Sequence, residues 1–111
     1  MSNRTRLGNR RGSETMEFET LRRHGVQSIK YVASLGYFHD GRLAEVFLRA
    51  GKAGTDLNIQ SQETAIAVSF ALQYGCPVDL MRAAMPRTQD GEPEGAIGML
   101  LDILAKDRAE P

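Results

Sequence analysis

The stretch that most constrains the fold is residues 40–77, DGRLAEVFLRAGKAGTDLNIQSQETAIAVSFALQYGCP. Asp40-Gly41 supplies a hairpin turn, because this dipeptide tolerates the positive φ values such turns need. A strand follows, over 43–49, with Ala44, Val46 and Leu48 on one face and Glu45, Phe47 and Arg49 on the other. Gly51-Lys52-Ala53-Gly54 breaks it, and Thr55 and Asp56 are good N-cap residues for a helix over 57–74. Gly75 sits where a left-handed C-terminal residue belongs, and Pro77 forbids continuation. A hairpin before the strand and a long helix directly after it leave few arrangements. Residues N-terminal to the hairpin must pair as sheet, and residues C-terminal to the helix must pack on it.

The flanking sequence fits both demands. In residues 14–20, Met16 and Phe18 alternate with Glu17 and Glu19, which predicts a half-buried strand. Residues 22–27 are turn-like at Gly25. Residues 28–38 carry Ile29, Tyr31, Ala33, Leu35 and Tyr37 on one face, a strand in which Gly36 marks a bulge or a close backbone approach. Sequential strands with short links imply an antiparallel meander. Within the long helix Ile59, Glu63, Ile66 and Phe70 form one stripe, and Ala65, Val68 and Leu72 a neighbouring one. A helix so apolar all round is expected to be buried on more than one side, against the sheet and against another helix or chain. A short helix, DLMRAAM, ends at Pro86. After a polar loop over 87–94, Ile97, Leu100, Leu101 and Leu104 predict a last helix over 95–106. The fold class is α+β: a three-stranded antiparallel meander, then a long buried helix and two shorter helices packed on one face. We divide the chain into a flexible basic arm (1–13), one domain (14–106) and a C-terminal tail (107–111).

A chain of 111 residues with 41% hydrophobic and 25% charged residues is long enough for one core, and a soluble protein is expected. No apolar run approaches the roughly 18 residues of a membrane span. The polar N-terminus lacks an apolar signal core, which predicts a cytoplasmic protein with no membrane partner. Net charge is zero, against a wholly basic nucleic-acid binder. The zero conceals an asymmetry: Arg4, Arg6, Arg10 and Arg11 stand at one end, while six acids follow residue 89. Such ends either meet head to tail in an oligomer or are solvated tails.

Candidate chemistry is sparse. Gly51, Lys52, Gly54 and Thr55 lie at a helix N-terminus, where free N–H groups attract anions. The Walker spacing is missing, and the competing reading is a tight strand-to-helix turn with a polar cap. His24 and His39 sit in turns without a partner at ligand spacing, so no metal site is expected. Cys76, the single cysteine, excludes an intramolecular disulfide and a CxxC pair. Glu45, Phe47 and Arg49 share one sheet face, a candidate interaction surface or simply a solvated one. The arm arginines Arg4, Arg6, Arg10 and Arg11 are candidate phosphate contacts. No catalytic grouping and no cofactor motif emerges.

The pattern DGR-x-AEVFLR-x-GK-x-G, followed by A-x-x-x-S-x-ALQYG-x-P, resembles the TSCPD domain. That domain is found near the C-terminus of vitamin B12-dependent ribonucleoside-diphosphate reductases and in small stand-alone bacterial proteins. The matching residues are Asp40, Gly41, Arg42, Glu45, Phe47, Gly51, Lys52, Gly54, Ser69, Ala71, Leu72, Gln73, Tyr74, Gly75 and Pro77. NRRGSET and G-x-I-G-x-LLDIL resemble the stand-alone group. The core that names the domain is absent, and Cys76 alone cannot supply the thiyl cysteine and redox pair of ribonucleotide reduction. The resemblance therefore implies a non-catalytic binding or assembly module linked to deoxyribonucleotide metabolism, with a reductase subunit or a second copy of itself as partner. The alternative is a nucleotide or nucleic-acid binder using the GKAG loop and the arginine arm.

Overall fold

The computed structural model describes Arg4 and residues 13–20 and 28–109. Its strands are β1 (Ser13–Glu19), β2 (Lys30–Tyr37) and β3 (Leu43–Ala50), and its helices α1 (Asp56–Gln73), α2 (Val78–Ala84) and α3 (Ala96–Ala109). The strands form an antiparallel sheet in the order β1-β2-β3, so the chain is an α+β fold with three helices after the meander. Regular structure begins one residue before 14, because Ser13 pairs with Gly36, and α3 continues past 106 to Ala109. The turn expected at Gly25 lies outside the described residues.

The hairpin forms as its dipeptide demands. Gly41 has φ +88°, the Phe38 N–H donates to the Arg42 carbonyl, and the Arg42 N–H donates to Asp40 Oδ1. Gly36 stands at a register irregularity, and what approaches it closely is a side chain rather than another backbone. The β2–β3 register shifts between Gly36 and Tyr37, and a Cβ at Gly36 would come within 2.7 Å of Glu45 Cγ. At the far end of β2 the Tyr37 hydroxyl donates to Glu14 Oε1, tying β1 down.

One face of the sheet carries Phe18, Tyr31, Ala33, Leu35, Val46 and Leu48 into the core, with the Phe18 and Tyr31 rings stacked 5.4 Å apart. Ala65, Val68 and Leu72 of α1, Met81 of α2 and Ile97, Leu100, Leu101 and Leu104 of α3 complete it. Among the described residues no element packs on the other face. Helix α1 ends as its sequence predicts: Gly75 has φ +96°, its N–H donates to the Leu72 carbonyl, and the Cys76 N–H donates to that of Ala71.

One expectation needs correction. In the single chain α1 is buried on one side only. Its buried residues are Asn58, Ser61, Ala65, Val68, Leu72 and Gln73, whereas the Ile59–Ile66–Phe70 stripe is exposed. The reason is steric: the small and polar stripe lets the helix approach the edge of β3 closely, and the bulky stripe cannot.

Candidate functional site

The exposed stripe of α1 borders the open sheet face because of how the helix is fixed. Asn58, Ser69 and Gln73 lie along one line of α1 and bond the backbone of β3. The Ala50 N–H donates to Asn58 Oδ1 (3.0 Å), the Val46 N–H donates to Ser69 Oγ (2.8 Å), and Ser69 Oγ donates back to the Val46 carbonyl (2.9 Å). Gln73 Nε2 donates to the Ala44 carbonyl (3.1 Å). The helix thus stands where a neighbouring strand would, since among the described residues none pairs with the outer edge of β3. At about 100° per residue, Ile59, Ile66 and Phe70 project from the next sector of the helix, on the open side of the sheet.

The result is a groove of about 330 Å³ between sheet and helix. Val32, Ser34, Phe47 and Arg49 form its floor and Gln62 and Ile66 its wall. Phe47, Ile59, Ile66, Phe70 and Tyr74 are each between 42% and 53% exposed. Large apolar side chains concentrated on one side of a small domain mark an interaction surface. Of the face residues read from the sequence, Phe47 and Arg49 are exposed on this floor, and Glu45 lies half-buried over Gly36.

The loop candidates come together as a turn. Gly51 and Gly54 adopt φ +67° and +84°. The Thr55 hydroxyl donates to the Lys52 carbonyl (2.7 Å) and accepts from the Asn58 N–H (3.3 Å), which makes Thr55 the N-cap of α1. Of the arm arginines, Arg4 lies on α1, its Nε donating to Gln73 Oε1 (2.5 Å) and its guanidinium 4.7 Å from the Phe70 ring centre. Arg6, Arg10 and Arg11 lie outside the described residues, as does His24. His39 is exposed. Cys76 is half-buried, its thiol 3.7 Å from the Pro77 carbonyl oxygen. Among the described residues no group of His, Cys, Asp or Glu is arranged to hold a metal ion, and no helix is long and apolar enough to cross a membrane.

Sequence reasoning missed one polar cluster. Asp102 of α3 accepts from Arg87 at 2.7 and 2.9 Å and from Arg82 at 2.8 Å, which joins α2, α3 and the loop between them. The two hydrogen bonds from Arg87, then the one from Arg82, lower the Asp102 carboxyl to about 2. Its members are five and fifteen residues apart along the chain, so no spacing announces them.

No protein-family model matches the chain, and no solved structure matches it. Among curated proteins, a vitamin B12-dependent ribonucleotide reductase of Agrobacterium fabrum is 35% identical over 94 residues, or 85% of this chain. The chain is similar to a short segment of that reductase. A second reductase of the same name, from Bradyrhizobium diazoefficiens, is 48% identical over 44 residues, 40% of this chain. The chain spans only 7% of the length of the first reductase and 4% of the second. A match over 94 of 111 residues necessarily includes residues 18–94. The reductase segment therefore aligns with β2, β3, α1 and α2, and with them the groove and its hydrogen-bonded edge.

Proposed function

We propose that the chain is a non-catalytic binding or assembly module of the TSCPD type, tied to deoxyribonucleotide metabolism. Its working surface is the open sheet face with the exposed stripe of α1. The observation that carries this reading is the groove: Phe47 and Ile66 stand half in water on either side of it, although α1 has a buried face of its own. Leaving such side chains exposed is costly unless something covers them, at about 25 cal/mol per Å² of apolar surface. The similarity to a reductase segment supplies the context, and with it a reductase subunit as candidate partner.

The test is direct binding between the purified chain and a purified B12-dependent ribonucleotide reductase from the same cell, read by interferometry. Saturable binding is expected, weakened about 10-fold or more by Phe47→Asp or Ile66→Asp, as for residues at the centre of an interface. No binding at about 100 µM reductase, a concentration beyond the range of ordinary specific complexes, refutes the link.

A further inference from the structure

We infer that the open face is closed, in the free protein, by a second copy of the same chain, stacked sheet on sheet about a two-fold axis parallel to β2. This rests on the reading of that face as an interaction surface and names its partner. The argument comes from the register. Glu17 of β1 pairs with Val32 of β2, and Val32 pairs with Arg49 of β3, so one row across the open face reads acid, apolar, base. The next row is Thr15, Ser34 and Phe47. Glu17 and Arg49 are both exposed, and among the described residues neither makes an ion pair. They lie two strand spacings apart, roughly 10 Å, on opposite sides of Val32.

A two-fold axis along β2 exchanges the outer strands, laying β1 of one copy over β3 of the other. Glu17 then faces Arg49 of the second copy, twice by symmetry, with Val32 against Val32 at the centre. Phe47 receives Thr15, and Glu45 faces Ser13. Lys30 meets its own copy near the axis, but Glu19 neutralises it within its own chain at 3.8 Å. The exposed stripe of α1 forms a wall beside β3 against which the incoming β1 seats. An axis across the strands would instead set β1 over β1, bringing together the acids of both copies. Charge therefore selects the first arrangement. Aligned stacking of this kind is a standard way for two sheets to pack, about 10 Å apart, and an interface of this type uses the same patch on both chains.

The experiment is sedimentation equilibrium of the full chain, of Glu17→Arg, of Arg49→Glu and of the double variant carrying both changes. Either single reversal sets like charges opposite each other twice and is expected to weaken dimerisation about 10-fold or more. The double variant restores both pairs and should return to within about 3-fold of the parent, the coupling expected of residues in contact. A parent chain that is strictly monomeric at about 500 µM overturns the inference, being far below the affinity of a specific interface. A double variant no better than the singles does so too. A chain that dimerises only after residues 1–12 are removed also overturns it, and assigns the face to the arm. Because no reductase is present, a dimer without reductase binding and reductase binding without a dimer are separate results.

Discussion

Among individual residues, Asp102 carries the clearest consequence. Its carboxyl titrates at about 2 in the folded chain, against about 3.9 for an unperturbed aspartate. A depressed carboxyl stabilises the fold above the unfolded value, and this contribution disappears as pH falls from about 4 towards 2. Asp102→Asn should lower stability by about 1–2 kcal/mol at neutral pH, a figure reduced because the cluster is partly exposed. It should also flatten the acid limb of a denaturation series between pH 4 and pH 2. Gly98 gives a second test. A Cβ there would lie 3.1 Å from Pro93 Cβ and 3.3 Å from Met85 Cβ, so α3 meets the preceding loop at a position where even a methyl group is tight. Gly98→Leu is expected to cost about 1–3 kcal/mol by overpacking, measured as a lower urea midpoint.

Among the elements, the strands were legible and the orientation of α1 was not. Met16 and Phe18 in β1, the odd residues of β2 and the even residues of β3 alternate with neighbours that are polar apart from Val32, Gly36, Leu43 and Phe47, and period two translates directly into faces. Asp40-Gly41 and Gly75 carried equally local information, because positive φ belongs to the residue itself. For α1 the periodicity yielded two apolar stripes and an expectation of burial on more than one side, whereas only the Ala65–Val68–Leu72 stripe is buried. Ile59, Ile66 and Phe70 are more apolar than Asn58, Ser61, Ala65 and Ser69, yet the latter group faces the sheet. Their small size and polar tips satisfy the edge of β3, a demand created by tertiary structure that appears nowhere in the local pattern. The candidate face at Phe47 and Arg49 could be read from alternation, but the groove beside it depends on how α1 is turned. Asn58→Leu tests this account. It leaves the Ala50 N–H buried without an acceptor and is expected to destabilise by about 1–3 kcal/mol. Ser69→Ala removes two bonds to Val46 and should have a comparable effect, whereas Glu63→Ala, on the exposed side, should change little.

For the whole molecule, the division into a filled side and an open side predicts that stability and association separate. Phe47→Ser and Ile66→Ser remove side chains that the isolated chain leaves about half in water, so each should cost about 1 kcal/mol and lower melting at low concentration by about 4–8 °C without unfolding the chain. Association at high concentration should fall sharply. A loss of fold in either variant would contradict the two-sided picture. The sheet also has two unlike edges. Along β3 the backbone is bonded to Asn58, Ser69 and Gln73, while along β1, among the described residues, no further strand pairs and Glu14, Glu17 and Glu19 stand as guards. Counted by strand edges alone, in the language of polymer chemistry, the folded chain is a monofunctional monomer. Edge coupling by itself can join two copies and must then stop, because among the described residues neither has a second open edge to offer. Removing the three polar side chains of α1 together would make the monomer difunctional, and the expected product is a growing fibre.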